Sequence, residues 1–218
     1  MIRGWFKKKE TKGPKVALKA PGIDEPMELV FATNNLNKLK EVQAMVPQHI
    51  KLLSLKDIGC EEDIPETQPT IEGNALQKAR YIQEHYGRDC FADDTGLEVT
   101  ALDGRPGVYS ARYAGPERDD RENMFKVLHE LENEADRSAR FKTVIALIVD
   151  GHEKSFEGLA NGHITEKPSG DGGFGYDPIF VFNGDTRTFA EISQDEKNAI
   201  SHRARATEKL VQFLNKFY

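Results

Sequence analysis

Asp150-Gly151 lies between two runs of strand-forming residues, Phe141 to Val149 and Glu153 to Ala160. Both positions of such a two-residue turn accept positive φ, and its twist matches that of two antiparallel strands, so this part of the sheet is antiparallel. The flanking sequence is organised differently. Leu29 to Thr33 reads as a buried strand, Asn34 to Asn37 as a polar turn, and Lys38 to Met45 as a helix with Leu39, Val42 and Met45 on one side. Ile50 to Leu53 forms a second strand. Thr70 caps a helix to about Tyr86, with Ile71, Ala75, Ala79 and Ile82 on one face and Gly87 as its stop. A helix over about Asp120 to Glu134 carries Met124, Val127, Leu128 and Leu131, Pro178 to Phe182 is a short strand, and a helix from about Ser201 to Lys216 closes the chain. Strand–helix units beside a hairpin require α/β architecture with a mixed sheet flanked by helices.

With 218 residues the chain can bury a core as one large domain or two lobes. No apolar run approaches the ~20 residues of a helical membrane span, no secretory signal pattern is evident, and a cytoplasmic location without membrane partners is expected. Cys60 and Cys90 form no CxxC pair, so neither a zinc site nor a disulfide framework is indicated. A formal charge of -6 argues against bulk nucleic-acid binding, which needs a basic face, but leaves room for a small anion at a local cluster with a metal. Residues 1–26 differ in character: they hold Arg3 and six lysines against Glu10, Asp24 and Glu25, and read as an appended or upstream-encoded leader ahead of a domain over 27–218.

Asp93 and Asp94 are two consecutive carboxylates that the strand beginning Cys90-Phe91 presents at its end. Buried carboxylates need a cation, a base or water, although Asp-Thr-Gly also suits an ordinary acidic turn. Three other stretches bear on the choice. Thr33-Asn34-Asn35-Leu36-Asn37-Lys38 joins a strand to a helix N-terminus, where unpaired N–H groups favour an anion and Lys38 adds charge; Asn-rich turns are also common in structural roles. In Gly170 to Pro178, glycines let the backbone approach a ligand and hold Phe174 and Tyr176, so Phe174 could stack on a base or simply fill core. Glu196 to Arg203 brings Lys197, His202 and Arg203 into a loop and helix N-terminus, where they could read a base oxygen, a sugar or a phosphate. A phosphate cradle, a metal site, a stacking platform and base-edge donors together describe a nucleotide site.

These segments resemble the inosine triphosphate pyrophosphatase family in order along the chain: Ala32-Thr33-Asn34-Asn35 with Lys38, Ala92 to Val99, Gly107 to Tyr113, Gly172 to Pro178, and Glu196-Lys197-Asn198 through Ser201-His202-Arg203. The resemblance implies hydrolysis of non-canonical purine nucleoside triphosphates (ITP, dITP, XTP) to monophosphate and pyrophosphate, by a Mg2+-dependent homodimer with an elongated mixed sheet and a cleft between two lobes. It also implies residue roles. Thr33 to Lys38 match the phosphate loop and Lys78 a phosphate-contacting lysine. Glu66, in the acidic Glu61–Pro69 loop, and Asp94 match metal-binding carboxylates, with Asp94 also catalytic, Asp93 in or behind the metal shell, and Thr95 on the substrate. Phe174, Gly175, Tyr176, Asp177, Lys197, His202 and Arg203 match base and sugar contacts. Asn34 and Thr95 stand where many relatives have Gly and Ser. The alternatives are a pyrophosphatase for modified pyrimidine or methylated nucleotides, a non-catalytic nucleotide binder, and a nucleic-acid module using the basic leader.

Overall fold

One mixed six-stranded sheet organises the protein in a computed structural model, which describes residues 26–43 and 45–217; the basic segment 1–25 lies outside the described residues. The elements run β1 (Met27–Phe31), α1 (Leu36–Gln43), β2 (Ile50–Leu53), α2 (Ile71–Tyr86), β3 (Cys90–Val99), α3 (Asp120–Glu130), β4 (Ser138–Val149), β5 (His152–Ile164), β6 (Phe180–Phe182), α4 (Gln194–Ile200) and α5 (His202–Phe217). Spatial order is β2-β1-β3-β4-β5-β6. β1 is parallel to β2 and β3, while β3 to β6 are successively antiparallel. The division follows the connections, because helical crossovers return a strand in parallel and the β4–β5 turn, with Asp150 at φ 49° and Gly151 at φ 74°, reverses it.

Three apolar clusters form around this sheet. Cys90, Ala92, Val144 and Ala146 pack beneath α2 on one face; Phe91, Ile145 and Leu147 pack against α5 on the other. Leu97, Phe141 and Phe180 join α3 in a third cluster. Gly158 of β5 lets α5 sit close: a Cβ there would stand 2.0 Å from the His202 carbonyl oxygen and 2.6 Å from the Ala206 nitrogen. The first turn of α5, bearing His202 and Arg203, is therefore held against the sheet by the absence of a side chain on β5.

Several boundaries differ from the sequence reading, each for a local reason. α1 begins at Leu36, ahead of the expected Lys38, because the Asn35 side chain accepts the Lys38 N–H at 3.2 Å and its carbonyl accepts that of Leu39. β3 does not end at the carboxylates. It continues to Val99, paired with β4 throughout, so Asp93 and Asp94 lie mid-strand opposite Ile145 and Val144. α3 stops at Glu130, and the expected strand start at Pro178 is a 3-10 turn over Asp177–Ile179. α4 was not anticipated, although Ser193 and Glu196 form a complete capping box at its start.

Candidate active site

The cleft opens where β1 stops and β3 continues. β1 pairs with β3 only at Val30–Cys90 and Phe31–Phe91, after which the chain turns away through Thr33 to Asn35 and leaves that edge of β3 uncovered beside the carboxylates. A cavity of about 420 Å³ occupies the gap, within the usual range for a small-molecule site. Thr33, Asn34, Asn35, Lys38, Glu66, Lys78, Asp94, Thr95, Phe174, Gly175, Tyr176, Asp177, Lys197, His202 and Arg203 all line it. The side chains of Leu36 and Asn37 are outside the described residues.

Strand alternation separates the two aspartates, since successive side chains point to opposite faces. Asp93 shares the Phe91 face, is 1% exposed, and lies 3.0 Å from Lys38 Nζ of α1 and 3.5 Å from Arg203 Nε of α5. Burial alone would push its carboxyl up, but Lys38, then Arg203 and Lys78, hold it well below the usual range. Asp94 shares the Ala92 face, where Asn74 Nδ2 donates to its Oδ2 at 3.2 Å and Lys78 Nζ lies 3.8 Å away. Its carboxyl is raised, by burial first and also by the negative charge of Glu66, with Lys78 opposing. Asp93 thus ties together cations from two helices, whereas Asp94 faces the open cleft.

α2 supplies the remaining control at this end. Its residues three and four apart share one side, and that side holds the acidic loop: Asn74 Oδ1 accepts the Gln68 N–H, Gln77 bonds Thr67 through both amide and oxygen, and Lys78 pairs with Glu66 at 2.5 Å. Farther along, Tyr81 and Tyr86 donate to Glu62 at 3.0 and 2.7 Å. The acidic Glu61–Pro69 loop is laid along α2, and Glu66 is brought near Asp94. Among the described residues no three His, Cys, Asp or Glu side chains cluster tightly enough to enclose a metal. Two carboxylates whose charges oppose each other still fit Mg2+, which takes one or two carboxylates and completes its octahedron with water and phosphate oxygens.

At the other end the glycine-rich loop is tied from both sides. Asp177, buried, accepts the Phe174 N–H at 2.9 Å and pairs with buried Lys197 at 2.6 Å. Asp120, at the start of α3, accepts the Gly175 N–H at 3.0 Å. The Phe174 ring is 40% exposed, with Lys197 Nζ 4.8 Å and Arg203 Cζ 5.8 Å from its centroid: an apolar face open to the cleft and backed by cations. Tyr176 is mostly core, its hydroxyl donating to the Ser110 carbonyl at 2.7 Å. His202 stacks on Phe141 at 4.6 Å; burial first, then Arg203 and Lys197, push it well below the ordinary histidine value, so it is neutral near pH 7. Thr95 shares a 2.7 Å hydroxyl contact with Thr143.

Asp63, Ile64, Ser110, Arg118 and Asp120 also line the cleft and were not singled out in the sequence. Ser110 was within a quoted motif and could have been found there; it receives the Leu97 N–H at 2.9 Å and fixes the 107–112 turn to β3. Arg118 and Asp120 had no local signal.

The Ham1 family model matches residues 29–213. A dITP/XTP pyrophosphatase of Flavobacterium psychrophilum is 57% identical over 187 residues, covering 86% of this chain and 98% of that protein. A protein of the same name from Bacillus subtilis is 46% identical over 191 residues, covering 86% and 96%. The solved structure of a HAM1 protein from Coxiella burnetii has a TM-score of 0.83 at 41% identity, covering 87% of this chain and 99% of that one.

Proposed function

The chain belongs to the Ham1 family, in agreement with the resemblance carried by its motifs, and on that footing we propose that it hydrolyses the non-canonical purine nucleoside triphosphates ITP, dITP and XTP to monophosphate and pyrophosphate. It is a hydrolase acting on nucleoside triphosphates, and the reaction removes deaminated purines from the nucleotide pool. The carrying observation is that one cleft joins an aromatic platform, Phe174 with Lys197 and Arg203 behind it, to the Glu66–Lys78–Asp94 cluster. The proposal includes Mg2+ dependence and a homodimer, both resting on the family resemblance, and the cytoplasmic location expected from the sequence.

Glu66 and Asp94 would hold Mg2+, which when bound supplies Lewis-acid neutralisation of the triphosphate oxygens. The Thr33–Lys38 turn and Lys78 receive the phosphates. Asp94, whose Oδ2 is fixed by Asn74, orients water for attack on the α-phosphorus and accepts its proton through the other oxygen. Phe174 stacks on the base. Arg203 and neutral His202 meet the 6-oxo group, so a 6-amino purine would bring hydrogens against donors and leave polar groups unpaired, a mismatch that can cost about 10^4-fold or more.

Pyrophosphate release should be measured across ITP, XTP, dITP, GTP, ATP and dUTP, with and without Mg2+. Preference for ITP, dITP and XTP is expected. Equal rates for ITP and ATP would defeat the purine-cleansing reading, and a dUTP preference would move the activity to pyrimidines.

A further inference from the structure

Most cations lining the cleft are already partnered by carboxylates: Lys38 and Arg203 by Asp93, Lys78 by Glu66, and Lys197 by Asp177. Arg118 differs. It lines the cleft and is exposed, and among the described residues it makes no ion pair within 4 Å. The two aspartates that follow it are committed elsewhere, since Asp119 caps α3 by accepting the Glu122 N–H at 2.9 Å and Asp120 holds the Gly175 N–H.

Its backbone is also unusual. Arg118 sits at φ 56°, in the left-handed region that disfavours a side chain, and such conformations persist where the surroundings impose them, often at functional sites. The surroundings do so here: Asn123 holds both the Ala111 carbonyl and the Ala114 N–H, Lys126 Nζ donates to the Tyr113 carbonyl at 2.7 Å, and α3 starts immediately afterwards. The 111–119 loop is anchored at both ends and presents the guanidinium to the cleft. Arg118 shares the cleft wall with Glu66 and Lys78 as well as with the Phe174 loop. Of a substrate in this cleft, the triphosphate is the part whose charge a guanidinium attracts.

We propose that Arg118 contacts the leaving pyrophosphate, closing a bidentate fork on the β- and γ-phosphate oxygens. The inference rests on the triphosphate hydrolase reading above. Water adds to the α-phosphorus, the bond to the bridging α–β oxygen breaks, and that oxygen leaves with the pyrophosphate carrying the released electron pair. A guanidinium matches that geometry and developing charge, and a lysine supplies only a point charge.

The test uses the full-length protein with Mg2+, comparing wild type with Arg118→Gly, which suits the backbone, and Arg118→Lys. Readouts are steady-state ITP hydrolysis and the inhibition constants of inorganic pyrophosphate and IMP. Arg118→Gly is expected to lower kcat/KM by about 10- to 100-fold and to raise the pyrophosphate inhibition constant by 10-fold or more, with that of IMP changed less than 2-fold and Arg118→Lys intermediate. Unchanged pyrophosphate inhibition in Arg118→Gly, or equal weakening of pyrophosphate and IMP, overturns the assignment. Wild-type protein that releases no pyrophosphate from any triphosphate fails the parent reading and removes the assignment with it, a result distinct from normal wild-type turnover with a silent variant.

Discussion

Asp93→Asn isolates the buried charge that joins α1 to α5. The Asp93 side chain is 2% exposed, while Lys38 is 17% and Arg203 7% exposed, with contacts of 3.0 and 3.5 Å. At an effective dielectric of about 20, each contact has a gross attraction of about 5 kcal/mol, and burying the carboxylate takes back several. The variant nearly preserves shape and leaves both cations without the charge they share, a change that costs about 3–5 kcal/mol. Lys38 has some access to water in which to relax, so the lower part of that range is expected. For a domain of this size the loss corresponds to a Tm lower by about 6–16 °C. Urea unfolding of wild type and variant should be followed from pH 3 to 8. The folded carboxyl titrates below its unfolded value near about 3.9, so its stabilisation is fully present above that value and lost as pH falls through the folded one. The difference between the proteins should be flat from pH 5 to 8 and shrink below pH 4. A difference under about 1 kcal/mol at pH 7, or one that grows on acidification, would refute the argument.

Other perturbations probe separate parts of the site. Gly158→Ala should destabilise by about 1–3 kcal/mol in urea unfolding and also lower ITP turnover, because the added Cβ meets the His202 carbonyl at 2.0 Å and must displace the turn carrying Arg203; normal stability and activity would contradict that packing. Lys197→Ala leaves Asp177, 2% exposed, as a buried unpaired carboxylate and should cost about 3–5 kcal/mol, with Lys197→Ala/Asp177→Asn recovering part of it; a double variant as unstable as the sum of the singles would show no coupling. Asp94→Asn should reduce turnover by about 10^2- to 10^4-fold while nucleotide binding remains measurable by calorimetry, and near-normal turnover would remove Asp94 from the chemistry.

Local patterns made much of this legible. The Asp150-Gly151 turn, the Thr70 cap and the Gly87 stop fell where the sequence put them because each depends on neighbours within four residues. The Ser193–Glu196 capping box is equally local, yet the Glu196–Arg203 stretch reads from sequence as a loop ahead of the last helix, and the short helix it opens is missed. What local reading could not supply was partnership across the chain. Lys38 reaches Asp93 over 55 positions and Arg203 over 110, and Asp120 reaches Gly175 over 55. Such pairs have no periodicity, so Lys38, Asp93 and Arg203 were visible while their assignments to one another were not, and Asp120 carried no local signal at all.

The same distinction explains why adjacent carboxylates in a continuous strand serve the site better than a pair at a strand's end. In a loop both would turn toward water. Held in β3 by pairing with β4, alternation sends Asp94 to the α2 face with Asn74, Lys78 and Glu66, and Asp93 to the face of α1 and α5 with Lys38 and Arg203. In the proposed mechanism the strand is therefore a rigid spacer between the phosphate-end chemistry and the helix that carries the base-end donors. Because β1 stops at Phe31, that edge of β3 stays uncovered beside Asp94, while Asp93 remains buried. Perturbing Asp94 should act on turnover with the base contacts intact, whereas perturbing Asp93 loosens Arg203 and Lys38 together and should weaken base recognition and phosphate binding at once.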